Sequence, residues 1–207
     1  MDSKYNVTLP LKKEWYGLFS HTGEELRNLA LAAVDQGWDV RLQSAITDNL
    51  DYDGPLCTSG VLVHKLASRT DVDWLLRYLQ FIPDNGLVTL NGYMGILSAE
   101  TLNNLKSRGC KVYNIHPAPI QLYPDLRGKD PQERLYEGIQ KREYAYIGVV
   151  IHEVDEGIDT GKIVHWVVEM ADHGMTKDEL YARLHELGTQ AWEDFFRERM
   201  YEYGENH

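Results

Sequence analysis

Asn114 and His116 are two hydrogen-bonding residues that stand two positions apart at the end of an apolar run, in the stretch "YNIHPAP". An amide N–H and an imidazolium can both donate to the oxygen that becomes negative when a carbonyl is attacked. A nearby carboxylate would favour the protonated imidazole and could accept a proton from an attacking amine. The loop "VDEGIDTG" contains three candidate carboxylates, which are Asp155, Glu156 and Asp159. This combination predicts acyl transfer to an amine, which needs neither a protein nucleophile nor a metal.

Taken alone, the same residues are also typical of structural roles. Asn114 and His116 could satisfy backbone groups at a strand end, and Asp159 precedes Thr-Gly, where an Asp commonly forms a turn. His152, with acidic residues nearby, raises the alternative of a metal site. Alternation along a strand sends His152 and Glu153 to opposite faces, so we expect a structural or surface role for His152 and no metal.

The segments that must position these residues alternate between apolar runs and amphipathic stretches. Strands are predicted at 14–21, 38–46, 61–68, 87–97 (a strand and its turn) and 110–117, and helices at 22–37, 71–81 and 98–109. Such alternation predicts a parallel sheet with right-handed crossovers, whose ligands lie beyond the carboxyl ends of the strands. Asn114 and His116 lie at such an end, as do the turns at 20–23 and 92–95. This shared position favours a binding site over a plain strand end.

The second half of the chain has a different pattern. A helix is predicted at 130–143, strands at 144–154 and 162–170, and a long amphipathic helix at 175–203. Two strands around the short Gly-containing loop at 155–161 indicate a hairpin or an antiparallel addition to the sheet. The long helix should begin with a capping box of Thr176 and Glu179, and Thr22 is the expected N-cap of the first helix.

Charge and composition restrict the kind of ligand. The chain has 32 acidic and 21 basic residues, a net charge of −11, which argues against a nucleic-acid or anionic-membrane surface. Neither a signal-peptide core nor an apolar run of membrane-spanning length is present, so we expect a cytoplasmic protein. The two cysteines, Cys57 and Cys110, are interpreted as buried thiols or incidental residues, since a disulfide framework needs more cysteines. A small-molecule ligand is therefore expected.

Three motifs give the sequence a specific resemblance. "GYMGIL", "NIHPAP" and "VDEGIDTGKIV", in this order and at these spacings, closely resemble the folate-dependent formyltransferase family, from about the first strand to the hairpin. That family includes glycinamide ribonucleotide formyltransferase, methionyl-tRNA formyltransferase, the amino-sugar N-formyltransferases and formyltetrahydrofolate deformylase. The resemblance implies an α/β, Rossmann-type, mostly parallel sheet flanked by helices, with an antiparallel hairpin and a long C-terminal helix. Residues 1–207 would form one domain, with an N-terminal extension (1–13), a nucleotide-binding-like half (14–110) and a catalytic and folate-binding half (111–207).

Carried over residue by residue, Asn114 and His116 match the family's catalytic Asn and His, and Asp159 matches its catalytic Asp. The implied reaction is direct attack of a primary amine on the formyl carbon of the co-substrate N10-formyltetrahydrofolate, without a metal. Asn114 and protonated His116 would stabilise the oxyanion, while Asp159 would hold His116 protonated and assist proton transfer. Asp155 remains an alternative to Asp159. The segments that hold the pterin ring in the family are matched by Tyr93, Met94, Gly95, Ile96 and Leu97 and by Val154, Asp155, Glu156, Gly157 and Ile158, although core packing remains an alternative for Tyr93 and Met94.

The acceptor is less specifically indicated. In the glycinamide ribonucleotide enzymes a Gly-rich turn cradles the substrate phosphate, but the matching turn "SHTGEEL" carries Glu24 and Glu25, which we expect to repel a phosphate. "LRGKDP" resembles the tRNA and amino-sugar enzymes more closely. We therefore expect a small-molecule amine, either an amino sugar or a nucleotide-linked amine, with glycinamide ribonucleotide and a role in purine biosynthesis left open. Hydrolysis by a formyltetrahydrofolate deformylase, a non-catalytic folate-binding module and a homodimer also remain open.

Overall fold

The computed structural model describes residues 13–78 and 81–204, which build a seven-stranded sheet in the order β3-β2-β1-β4-β5-β6-β7. The strands are β1 (Lys13–Phe19), β2 (Val40–Thr47), β3 (Leu62–Lys65), β4 (Leu87–Leu90), β5 (Lys111–His116), β6 (Tyr146–Glu153) and β7 (Ile163–Met170). The pairs among β1 to β5 are parallel, whereas β5, β6 and β7 pair antiparallel. The predicted mostly parallel sheet with an antiparallel hairpin is confirmed.

Five α-helices flank this sheet in the described part of the chain. They are α1 (Glu24–Asp35), α2 (Arg69–Tyr78), α3 (Ala99–Ser107), α4 (Pro131–Gln140) and α5 (Lys177–Gly204). The capping box at the start of α5 is confirmed, because the Glu179 N–H donates to Thr176 Oγ1 at 3.3 Å and the Thr176 N–H donates to Glu179 Oε2 at 2.7 Å. Thr22 as the N-cap of α1 is wrong. Gly23, at φ 62°, is the N-cap and delays the first helical residue to Glu24.

Helices on both faces of the sheet bury its apolar side chains. On one face α5 packs against α1, β6 and β7, and Trp15 lies with its ring centroid 4.9 Å from that of Phe196. The predicted apolar stripe of α5 is fully inside this core; it consists of Leu180, Leu184, Leu187 and Trp192. On the other face α2 and α3 cover a second cluster that includes Leu18, Leu76 and Leu105. Burial of each such side chain stabilises the folded state by about 1.5–3 kcal/mol. The two layers therefore stabilise the sheet that carries the candidate site.

Strand boundaries differ from the predicted ones by a few residues, as for β1, which is predicted at 14–21 and spans Lys13–Phe19. The strand predicted from 87 ends at Leu90 and leads into the predicted turn, in which Gly92 has φ 68°. Residues 1–12 of the expected N-terminal extension, and residues 79–80 of the helix predicted at 71–81, lie outside the described residues. The division into two halves at 110/111 stays a prediction. No helix within the described residues combines the length and apolar character needed to cross a membrane.

Candidate active site

Strands β5 and β6 bring three polar side chains together. Asn114 and His116 share one face of β5 because side chains two residues apart on a strand point the same way. The antiparallel register places His152 of β6 directly opposite Asn114, with Asn114 Nδ2 and His152 Nε2 3.3 Å apart. Both histidines are only 3% exposed. The pairing of β5 with β6 therefore builds a buried polar cluster at the end of β5.

Asp159 completes this cluster from the loop between β6 and β7. Its Oδ2 lies 3.2 Å from His116 Nδ1, and its Oδ1 lies 3.4 Å from His152 Nε2. Oδ2 also accepts the backbone N–H of Gly128 at 2.9 Å. The structure thus brings Asn114, His116 and Asp159 into one cluster, in which His152 touches both Asn114 and Asp159.

The loop can deliver Asp159 only through an unusual backbone path. Asp159 has φ 54°, in the left-handed region, where Asp is tolerated better than most residues. A Cβ at Gly161 would lie 1.7 Å from the carbonyl oxygen of Glu153, so only glycine allows this close approach. The Glu153 N–H also donates to Lys162 O at 2.9 Å, which closes the loop. These features aim the carboxylate back at the two histidines.

The environment of Asp159 keeps it ionised. Burial alone would raise the pKa of this carboxyl, but hydrogen bonds from His116 and His152 and from the Gly128 N–H hold the pKa well below its usual range. The side chain is 13% exposed. Asp159 is therefore a partly buried carboxylate that can balance a positive imidazole.

The partners of the two histidine rings indicate where their protons lie. His116 Nε2 is 2.9 Å from Leu126 O, and His116 Nδ1 faces Asp159. Both partners only accept hydrogen bonds, so the imidazolium form of His116 satisfies both. His152 Nδ1 lies 2.9 Å from the carbonyl oxygen of Glu153 and must donate to it, so Nε2 accepts from the Asn114 amide in the neutral ring and donates to Asp159 Oδ1, 3.4 Å away, in the imidazolium. One N–H of Asn114 remains available for a ligand, since the described residues offer it no other acceptor.

The surface alternative expected for His152 is wrong, whereas the structural alternative stays a prediction. Alternation correctly separated His152 from Glu153, but a two-residue period does not indicate which face of a strand meets the site. His152 is buried, opposite Asn114 and against Asp159. The pairing that places His152 here joins β5 and β6, two strands separated by α4, so no signal close to His152 in the sequence reports it.

Asp155 lies in the same loop but makes only local contacts among the described residues. Its Oδ1 accepts the Gly157 N–H at 3.0 Å and the Thr160 hydroxyl at 2.7 Å. The residue is exposed and forms a local turn. Of the two aspartates considered for the partner of His116, the structure places Asp159 in contact with it.

A cavity of about 480 Å³ lies between α3, β5 and the loop after β6, within the usual size of a small-molecule site. Its walls include Leu102, Asn103, Lys106, Cys110, Lys111, Val112, Glu153, Val154, Asp155, Glu156, Gly157, Gly161 and Lys162. None of the four cluster residues is among them, but Gly161 lies beside the cluster, since a Cβ there would be 3.5 Å from His152 Nδ1. Four residues of the second predicted cofactor segment, 154–157, therefore line a cavity next to that cluster.

The remaining predicted cofactor residues take other positions. Tyr93 and Leu97 are buried in the core formed with α2 and α3, as the packing alternative for Tyr93 anticipated. The apolar side chains of Met94, Ile96 and Ile158 are exposed. Gly95 packs against the Tyr93 ring so closely that a Cβ at Gly95 would lie 2.4 Å from that ring. Contact of these side chains with a ligand stays a prediction.

Glu24 and Glu25, the two carboxylates expected to repel a phosphate at the start of α1, differ in their surroundings. The Glu25 carboxyl accepts hydrogen bonds from Asn91 Nδ2 and Trp192 Nε1, both at 2.8 Å, and burial raises its pKa. It ties α1 to the end of β4 and to α5. The expectation that Glu25 faces a ligand is therefore wrong, whereas Glu24 is exposed at the start of the helix.

Comparisons with known proteins bear on this arrangement. Residues 64–194 match the family model described as formyl transferase. The phosphoribosylglycinamide formyltransferase of Bacillus subtilis (strain 168) is 33% identical over 102 residues, 49% of this chain and 47% of that protein. The methionyl-tRNA formyltransferase of Thermosipho melanesiensis is 34% identical over 114 residues, 55% of this chain and 33% of that protein. The chain thus aligns with less than half the length of either relative.

Solved structures show the same fold. Glycinamide ribonucleotide transformylase 1 from Symbiobacterium toebii superposes with a TM-score of 0.76 at 24% identity, covering 95% of this chain and 92% of that one. Phosphoribosylglycinamide formyltransferase from Streptococcus pneumoniae TIGR4 gives a TM-score of 0.70 at 24% identity, covering 89% and 97%. At these identities the likeness shows the fold alone.

Proposed function

The chain belongs to the formyl transferase family, and from that premise we propose that it transfers a formyl group from N10-formyltetrahydrofolate to a primary amine of a small molecule. The observation that carries this proposal is the buried cluster of Asn114, His116, His152 and Asp159 beside a cavity of about 480 Å³. The cavity wall combines apolar residues such as Leu102, Val112 and Val154, suited to the faces of a flat heterocycle, with charged residues of α3, β5 and the loop, suited to its polar edge.

Each member of the cluster has a role in such a transfer. The free amide N–H of Asn114 would donate to the formyl oxygen as negative charge develops. His116 would supply the second donor when its Nε2–H exchanges the Leu126 carbonyl for the formyl oxygen, since hydrogen bonds in a free site often rearrange when substrate binds. His152 would hold the Asn114 amide and one oxygen of Asp159 in place.

Asp159 would manage charge and protons. Its carboxylate balances the imidazolium of His116 and can take the proton that the attacking amine loses, directly or through water. A bond forms between the amine nitrogen and the formyl carbon, the bond from that carbon to N10 breaks, and the amine's proton goes to N10. The atoms balance without a metal or an oxidant.

The acceptor is proposed as a class. The similarity to phosphoribosylglycinamide formyltransferase supports a nucleotide-linked amine such as glycinamide ribonucleotide, and the stretch "LRGKDP" supports an amino sugar. A second candidate reaction is hydrolysis of the same donor, because formyltetrahydrofolate deformylase 1 of Arabidopsis thaliana is 34% identical over 95 residues, 46% of this chain and 26% of that protein.

The two reactions are separated by one measurement. Purified protein is incubated with N10-formyltetrahydrofolate, with and without a panel of primary amines, and tetrahydrofolate, formate and formylated amine are quantified. We expect an amine to accelerate tetrahydrofolate formation with an equal yield of formylated amine. Formate equal to tetrahydrofolate with every amine would show a deformylase, and donor binding without either product would show a binding module. The variant His116→Ala should abolish either reaction while leaving the fold intact.

A further inference from the structure

The short segment from Leu126 to Gly128 contacts the catalytic cluster at each residue. The carbonyl oxygen of Leu126 accepts from His116 Nε2 at 2.9 Å, and the N–H of Gly128 donates to Asp159 Oδ2 at 2.9 Å. Between them, Arg127 Nε donates to the backbone carbonyl oxygen of Asp159 at 3.0 Å. The guanidinium of Arg127 is therefore held against the backbone of Asp159, the proposed proton acceptor.

The two Nη groups of this guanidinium are available to a ligand. Arg127 is exposed, and among residues 13–78 and 81–204 neither of its Nη groups has a hydrogen-bond or ion-pair partner. Its main chain is nevertheless fixed, because Arg134 Nη2 donates to Arg127 O at 2.6 Å and Arg134 Nη1 donates to Asp125 O. The Nη1 and Nη2 groups of Arg127 can thus donate to a ligand from an anchored side chain at the edge of the cluster.

A planar pair of charged donors matches one class of partner. A guanidinium binds carboxylate or phosphate oxygens with two parallel hydrogen bonds, which a neutral group cannot match. The neighbouring Lys129 is less suited to this role, because its side chain is 91% exposed and its Nζ lies 3.7 Å from Asp130 Oδ2. The formyl-accepting amine must approach the same cluster, so its own substituents pass Arg127.

We infer that Arg127 is a specificity-determining residue that binds an anionic group, carboxylate or phosphate, carried by the amine acceptor. This inference rests on the proposed formyl transfer and names the class of acceptor for that site. The Nε contact with Asp159 positions the guanidinium, and the two Nη groups bind the anion. An acceptor without the anion forgoes these charge-assisted hydrogen bonds and reacts with a lower kcat/KM.

The test uses acceptors matched in all but their charge. Glucosamine 6-phosphate is compared with glucosamine, and glycine with glycinamide, so that the first pair reports on phosphate and the second on carboxylate. The wild type should prefer the anionic member of at least one pair. Arg127→Gln should reduce that preference, the ratio of the two kcat/KM values, on the order of 10- to 100-fold, as expected for lost hydrogen bonds to a charged group. Any shift of Asp159 that slows both acceptors equally cancels in the ratio.

Two further variants keep the test decisive. Arg127→Lys retains the charge without the planar fork and should recover part of the preference, and it serves if Arg127→Gln does not fold by circular dichroism. Lys129→Gln removes the same charge two residues away and should leave the ratio within about twofold of wild type, as expected for an exposed charge.

The outcomes separate the two levels of the proposal. An unchanged preference in Arg127→Gln, an equal loss in Lys129→Gln, or a wild type without preference in either pair would overturn the role of Arg127 while formyl transfer stands. Hydrolysis without transfer to any amine would overturn the proposed function itself, and this inference with it.

Discussion

Replacing Asp159 by Asn removes one negative charge from the cluster and keeps the size of the side chain. The carboxylate accepts the Gly128 N–H and has its two oxygens 3.2 and 3.4 Å from ring nitrogens of His116 and His152. An amide keeps one accepting oxygen and turns the other position into a donor. If the oxygen stays on Gly128, as the backbone contact favours, the amide nitrogen faces His152 and neither imidazole has a negative partner. The imidazolium of His116 then loses its counter-charge.

The size of the effect follows from these contacts. Hydrogen bonds to a charged group each contribute about 1.5–3 kcal/mol, so we take about 3 kcal/mol as the loss of transition-state stabilisation. That is on the order of 10²-fold in kcat, since about 1.4 kcal/mol corresponds to tenfold. The free energy of unfolding should fall by about 2 kcal/mol, which lowers Tm by roughly 4–8 °C for a chain of this size.

The assay is formation of tetrahydrofolate with a saturating amine, together with thermal unfolding of the same samples. Asp155→Asn is the matched control, because an amide oxygen can still accept from Gly157 and Thr160 as Asp155 does. We expect it to lose far less turnover than Asp159→Asn. Wild-type kcat in Asp159→Asn, or an equal loss in Asp155→Asn, would refute the reasoning that places the proton chemistry on Asp159.

Three further predictions concern stability and geometry. The lowered pKa of Asp159 adds stability that is fully present above the ordinary carboxyl pKa of about 3.9 and is lost as pH falls below it. Urea unfolding should therefore show a steeper loss of stability from pH 5 to pH 3 in the wild type than in Asp159→Asn, and equal slopes would contradict this. His152→Ala should lower kcat at least tenfold, which corresponds to a loss of about 1.4 kcal/mol of transition-state stabilisation, because it leaves one oxygen of Asp159 without its partner. A wild-type kcat in steady-state kinetics would argue against this role. Gly161→Ala should lower both Tm and kcat, because its Cβ would lie 1.7 Å from the Glu153 carbonyl oxygen. Gly188→Ala in α5 is the control: its Cβ meets no atom closer than 3.5 Å, and calorimetry should show a free energy of unfolding about 0.5–1 kcal/mol higher.

The sequence sufficed for features that depend on local patterns. The alternation of strands and helices predicted the parallel sheet, and the two-residue spacing of Asn114 and His116 predicted their shared face. The Gly residues around Asp159 indicated a loop that can approach a ligand closely. In each case the signal lies within a few residues of the feature that it predicts.

Features set by distant contacts were not predictable in this way. The position of His152 opposite Asn114 depends on the register of β6 against β5, and the burial of Glu25 depends on Trp192, 167 residues along the chain. The position of Arg127 depends on a carbonyl 32 residues away. Local periodicity carries no information on such pairings, which only the packed fold defines.

The contacts of Leu126 and Gly128 have a consequence for how this protein can diversify. Both residues meet the catalytic cluster through backbone atoms, a carbonyl oxygen and an N–H, which nearly every amino acid possesses. The side chain at 127, between them, is the variable part of the segment. If Arg127 sets the acceptor preference as proposed, substitutions at this single position can change that preference while the backbone contacts to His116 and Asp159 on either side are retained.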